Sequence, residues 1–221
     1  MDARTRTRTS GGASRRQSVE TPAGEARISW WDAPDAGCVL ALGHGAGGGI
    51  EARDLAALAA ALPANGVSVA LVEQPWRVAG RKLAPAPRTL DTAWRALMPV
   101  LAESGLPLVV GGRSAGARVA CRTALETGAR GVVALAFPLH PPGRPERSRA
   151  DELPLGQLPL LVVQGGRDPF GRPAEFPAGV RPVEVPEADH SFAVPKRAVP
   201  GQEAALTVLT DAVADWLATV R

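Results

Sequence analysis

Residues Val109–Cys121 read VVGGRSAGARVAC, and this stretch decides the fold. An apolar run leads into Gly112-Arg113-Ser114-Ala115-Gly116, and a helix-like pattern leads out of it. That is G-x-S-x-G between a predicted strand and a predicted helix, the setting in which the motif makes a sharp turn and lifts a serine above a sheet edge. The reason is steric. A serine at such a turn is pushed into strained backbone angles, and side chains two residues on either side would collide. Glycines at 112 and 116 remove the collision. The helix that follows opens with unpaired N–H groups, and the amide of Ala115 is aimed where an oxyanion would form.

Outward from this turn, short apolar runs alternate with amphipathic stretches. Strands are predicted at Arg27–Trp31, Cys38–Leu42, Val67–Val72, Leu106–Val110, Gly131–Phe137, Leu158–Val163 and Val183–Val185. Helices are predicted over 51–62, 89–103, 117–126 and 203–220, with Pro99 kinking or ending the second of them. In the last, Leu206, Leu209, Val213, Trp216, Leu217 and Val220 are expected to face inward. Strands and helices alternating in this way predict a mostly parallel sheet with helices on both faces.

The composition agrees. The chain has 221 residues, 45% hydrophobic and 21% charged, which excludes a wholly disordered protein. No apolar run reaches the roughly 18 residues of a spanning helix, so no membrane association is expected. The first residues lack the apolar stretch of a secretory signal peptide. Two cysteines, Cys38 and Cys121, cannot supply a disulfide framework. Both are expected to be buried and structural, in a cytoplasmic protein with reduced thiols. Of the net charge of +3, residues 1–19 carry five arginines and one acid, and the remainder has 20 basic against 21 acidic groups. The basic excess therefore belongs to a tail, residues 1–24, expected to be disordered ahead of one domain at 25–221. No nucleic-acid partner is expected from the body.

A serine hydroxyl needs a base, and the base needs an orienting acid. On folds with this turn the chain order is nucleophile, acid, histidine. The chain has three histidines, His44, His140 and His190, and only His190 follows the last predicted strand. Asp168, in GGRDP, follows the strand at Leu158–Val163. Ser114, Asp168 and His190 are thus the candidate catalytic residues.

The run His44-Gly45-Ala46-Gly47-Gly48-Gly49 is expected to supply the second oxyanion amide, from Ala46, with Gly45 or Gly47 as alternatives. Ala46 and Ala115 are therefore the candidate oxyanion hole. A rival reading is a phosphate cradle, since residues 43–48 match G-x-G-x-x-G and Glu73 stands where a ribose-binding acid would. His44 is read as a loop-orienting hydrogen-bonder and His140 as a loop histidine, with contact to substrate as its alternative. Arg81, Lys82, Arg113 and Arg167 are read as solvated surface, with an acid-attracting mouth as the alternative. No metal motif is present and no cofactor is expected.

The chain resembles small α/β-hydrolases of the dienelactone-hydrolase-like kind. More closely it resembles the group related to the hydrolase-like subunit of the NSL histone-acetyltransferase complex and its small testis-expressed relative. The matching stretches are GHGAGG (43–48), RVAGRK (77–82), GGRSAGARVA (111–120), FPLHPPGRPE (137–146), QGGRDPFG (164–171) and ADHSFAVPKR (188–197). The resemblance implies Ser114, Asp168 and His190 as a triad. Glu73-Gln74-Pro75-Trp76 departs from the more aromatic run of that group, which bears on the pocket wall. The segment from 137 to 157 is too short for a cap domain, so an open site is expected. The reading is a serine hydrolase acting on small carboxylic esters or thioesters. The alternatives are a non-catalytic scaffold on the same fold and an acyltransferase that excludes water.

Overall fold

The computed structural model describes residues 13–220. Eight strands form one sheet: β1 Arg15–Thr21, β2 Gly24–Trp31, β3 Cys38–Gly43, β4 Val67–Glu73, β5 Leu108–Arg113, β6 Val132–Leu135, β7 Leu160–Gly165 and β8 Val183–Val185. Their order is β1-β2-β4-β3-β5-β6-β7-β8. The pairs β1–β2 and β2–β4 are antiparallel and the others parallel. The helices are α1 Arg53–Ala61, α2 Pro75–Val78, α3 Pro87–Ala96, α4 Met98–Leu101, α5 Ala115–Thr123 and α6 Gln202–Val220.

The central strands are buried on both faces because alternate side chains enter two separate cores. Val39, Ala41, Val110, Val132 and Ala134 pack towards Trp94, Leu97 and Leu101. Leu40, Leu42, Val109 and Val133 pack on the opposite side with Leu55, Leu58 and the α6 row Leu209, Val213 and Leu217. In α6 the buried stripe is Ala205, Leu209, Val213 and Leu217, a four-residue period, so Leu206 is only half-buried and Trp216 and Val220 flank the stripe.

The break foreseen at Pro99 occurs. The stretch splits into α3 and α4, with Pro87 and Pro99 each in a first turn, where a missing N–H costs nothing. The tail boundary at residue 24 needs correction. Residues 15–21 form β1, a hairpin partner of β2 closed at Thr21↔Gly24. Thr21 Oγ1 donates to the Gly24 carbonyl at 2.7 Å and accepts from the Ala23 amide at 3.2 Å. β1 reads RRQSVET, a polar edge strand with only Val19 packed against the core, so hydrophobic patterning misses it. One of the tail arginines, Arg15, lies over the Trp30 ring at 4.0 Å. The expectation for residues 1–12 falls outside the described residues.

Among the described residues no cap domain covers the carboxyl edge of the sheet. The segment after β6 is held down on α5: Glu152 accepts from Arg118 Nε at 2.7 Å and from Arg122 Nη1 at 3.0 Å. Burial pushes the Glu152 carboxyl up, but the two guanidiniums overcome this and hold it below its usual value. Arg122 also grips Asp91 of α3 with two hydrogen bonds, at 2.9 and 2.6 Å. Among the described residues no helix is long and apolar enough to cross a membrane.

Candidate active site

The chain leaves β3 towards β4 on one side, while β5 lies on the other. The β3–β5 crevice is thus a switch point, where open α/β sheets place their sites. Ser114 sits at the end of β5 with φ 53° and ψ −113°, a strained conformation for a residue with a side chain. Its amide donates to the Leu135 carbonyl at 2.9 Å, which fixes the turn. The flanking glycines are required by close packing on β3. A Cβ on Gly112 would lie 2.5 Å from the Gly43 carbonyl oxygen, and one on Gly116 would overlap the same oxygen.

The three candidate catalytic residues are brought together. The Ser114 hydroxyl lies 2.9 Å from His190 Nε2, and His190 Nδ1 lies 2.8 Å from Asp168 Oδ2. With Nδ1–H donating to the carboxylate, the Nε2 lone pair is left to accept the serine proton. Asp168 is fully buried and carries two further hydrogen bonds: Gln164 Nε2 donates to Oδ2 at 2.9 Å and the Phe170 amide to Oδ1 at 2.8 Å. The Phe170 ring lies against the His190 ring, centroids 4.2 Å apart.

The loop bearing His190 is built with equal care. Asp189 Oδ1 accepts from the amides of Ser191 and Ala193 and from the Ser191 hydroxyl, at 2.7, 3.0 and 2.8 Å. Burial pushes the Asp189 carboxyl up, yet these donors hold it below its usual value. Gly165 lets β7 approach this loop, since a Cβ there would lie 2.5 Å from the Ala188 carbonyl oxygen.

Ala46 and Ala115 line one small cavity together with Gly45 and Gly116. Ala115 opens α5, so its amide has no partner within the helix. His44 orients the loop that carries Ala46. Its Nδ1–H donates to the Gly45 carbonyl at 2.8 Å, and its Nε2 accepts from the Gln74 amide at 3.1 Å. Burial pushes the His44 imidazole below its usual pKa, in keeping with this neutral form.

The phosphate-cradle reading is not favoured by the geometry. The glycine run does not enter a helix directly, because α1 begins at Arg53. An acid, Asp54, stands in its first turn, where a phosphate would need positive potential. Glu73 instead pairs with Arg27 at 3.7 Å.

His140 lies in the loop after β6, and its two ring nitrogens face the Pro141 carbonyl and Glu175 Oε2. Its backbone amide donates to the Phe170 carbonyl at 3.0 Å, which places it behind the acid loop. Arg113 departs from its surface reading. It is buried, its Nε is 3.2 Å from Asp54, and its Nη2 donates to the His190 carbonyl at 2.7 Å. Burial pushes the Asp54 carboxyl up, with Arg113 pulling the other way. Arg167 is exposed and 3.5 Å from Glu187. Arg81 and Lys82 are exposed. Cys38 and Cys121 are buried in opposite cores, and burial pushes the Cys121 thiol far up.

Sequence reading overlooked Gln164, Phe170 and Asp54. The available signal for Gln164 was a lone amide inside the otherwise apolar strand LLVVQG. Among the described residues no group of three or more His, Cys, Asp or Glu side chains is arranged to hold a metal ion.

The chain belongs to the alpha/beta hydrolase domain family, whose model matches residues 36–218. It is similar in fold to XC6422 from Xanthomonas campestris, a serine hydrolase without a lid, with TM-score 0.68, 20% identity, and 91% of this chain and 94% of that one covered. Dienelactone hydrolase from Anabaena variabilis superposes with TM-score 0.71 at 20% identity, covering 93% and 97% of the two chains. The thermophilic carboxylesterase EstE1, from a metagenomic library, superposes with TM-score 0.61 at 19% identity, covering 95% and 91%. At these identities the likeness is one of fold. No curated protein matches the chain.

Proposed function

We propose that the protein is a serine hydrolase that cleaves small carboxylic esters or thioesters through an acyl-enzyme on Ser114. The observation that carries this reading is the continuous hydrogen-bond run from Ser114 Oγ through His190 to the buried Asp168, at 2.9 and 2.8 Å. In the first step Ser114 Oγ bonds to the acyl carbon and its proton passes to His190 Nε2. The carbonyl oxygen becomes an oxyanion held by the Ala46 and Ala115 amides, each donor worth about 3 kcal/mol of barrier in sites of this kind. The bond to the leaving group then breaks, and His190 returns the proton to it. Water repeats the sequence on the acyl-serine, releasing the carboxylic acid and restoring the hydroxyl. Asp168 holds the imidazole in the Nδ1–H tautomer and balances its positive charge.

The open carboxyl edge suits small or flexible substrates, and the six quoted stretches support a finer kinship with the NSL-related group. A cytoplasmic setting accords with two buried cysteines. The test is hydrolysis of p-nitrophenyl acetate by the wild type and by Ser114→Ala. Turnover lost by about 10⁴-fold or more in the variant is expected. Equal turnover by both would overturn the assignment of Ser114.

A further inference from the structure

The small cavity at the candidate oxyanion amides is lined by Gly45, Ala46, Ala115 and Gly116 together with the apolar side chains of Trp76, Ala84, Leu90 and Val119. None of its lining residues comes from the segments after β6 that carry Asp168 and His190. The leaving group must lie beside His190 Nε2, because it takes its proton from there. The cavity, which the candidate oxyanion residues line and the segments of the acid and base do not, is therefore assigned to the acyl group. This step rests on the serine-hydrolase reading.

The cavity is tight, about 10 Å³ in volume. That is room for about one water, or a group of methyl size. A second, larger cavity of about 380 Å³ adjoins it, lined in part by Gly24, Glu25, Val78, Arg81 and Pro85. The two cavities share three residues: Gln74, Trp76 and Leu90. The shared wall is fixed in place. Trp76 is 5% exposed and its ring centroid is 5.5 Å from that of His44, while Gln74 gives its amide N–H to His44.

We propose that these cavities are two chambers of one acyl-binding channel, and that Trp76 is the partition that sets acyl length. The first chamber takes an acetyl group. The second has the volume for a longer chain, and Trp76 belongs to the wall that the two share. Trp76 thus determines specificity and takes no part in the chemistry.

The test measures kcat/KM for p-nitrophenyl acetate, butyrate, octanoate and dodecanoate in the wild type, Trp76→Ala and Leu90→Ala. The wild type is expected to favour acetate over octanoate by about tenfold or more. Trp76→Ala is expected to raise the octanoate-to-acetate ratio by about tenfold or more, and Leu90→Ala in the same direction. Should Trp76→Ala fail to fold, Leu90→Ala and the wild-type profile decide. A wild type that takes octanoate as fast as acetate overturns the proposal, as does an unchanged ratio in folded variants. No turnover of any ester, together with no covalent adduct from a fluorophosphonate, overturns the hydrolase reading and this proposal with it. An adduct with turnover independent of chain length overturns the partition alone.

Discussion

Arg113 Nη2 donates to the backbone carbonyl of His190 at 2.7 Å, so the residue beside the candidate nucleophile also holds the loop of the candidate base. The same guanidinium faces the fully buried Asp54 at 3.2 Å. One side chain therefore ties three segments, the ends of β5 and of the loop after β8 and the start of α1. Removing it strands a buried carboxylate, which is costlier than removing the whole pair. Arg113→Met should lose about 3–5 kcal/mol of stability in urea unfolding. Adding Asp54→Leu to that variant should recover much of the loss.

Gln164 is expected to act on the rate through Asp168. Its amide is one of two non-histidine donors to that carboxylate, and it also donates to the Gly171 carbonyl at 2.8 Å. Gln164→Leu removes the donor at nearly the same volume and lets Asp168 and His190 drift. Misplacement of this kind costs up to about 10²-fold. The fall should appear in kcat with KM little changed, as measured on p-nitrophenyl acetate; a change confined to KM would contradict a positioning role.

Two effects oppose each other at Gly116. Helix propensity alone would make Gly116→Ala stabilising by about 1 kcal/mol within α5. The added Cβ, however, would overlap the Gly43 carbonyl, and backbone cannot yield there as a flexible side chain would. Overpacking at about 1–3 kcal/mol wins, so net destabilisation is expected in thermal melts. Gly48→Ala is the control, because a Cβ there meets nothing within 4 Å.

His140 and Glu175 make a pH-dependent clasp, 2.8 Å apart, behind the acid loop. The hydrogen bond to the Pro141 carbonyl, with Glu175 adding to it, holds the His140 imidazole above its usual 6.5. A hydrogen bond from the Arg172 amide, with His140 adding to it, holds the Glu175 carboxyl below its usual 4.5. A raised histidine stabilises fully below its unfolded value and loses this as pH rises through its folded one. A lowered carboxylate stabilises above its unfolded value and loses this as pH falls. The clasp is therefore strongest between about pH 4.5 and 6.5. Glu175 is 40% exposed at its side chain, so screening keeps the effect small, about 1–3 °C in Tm. Melting curves should show that difference between wild type and Glu175→Gln at pH 6, shrinking by pH 8.5.

The parts of the molecule that sequence reveals are those where chemistry leaves few choices. G-x-S-x-G after an apolar run has one common strand–turn–helix solution, and with three histidines in the chain the position of His190 follows from chain order. β1 was illegible because RRQSVET forms an edge whose partner supplies the hydrophobic side. Arg113 was misread because an arginine between a glycine and a serine in a turn looks like surface, and its buried acid lies 59 positions earlier, at Asp54. Gln164 hid in a strand whose other members are apolar. Pairings of this sort depend on the folded arrangement, and local pattern at most marks an odd residue, as at Gln164, without naming its partner.

The proposed chemistry stands on Ser114 being an activated nucleophile. The most direct measurement is the intact mass of the protein after treatment with a fluorophosphonate, in which the serine oxygen bonds to phosphorus and fluoride departs. One adduct is expected on the wild type and none on Ser114→Ala. No adduct on a folded wild type, or an equal adduct on the variant, would contradict it.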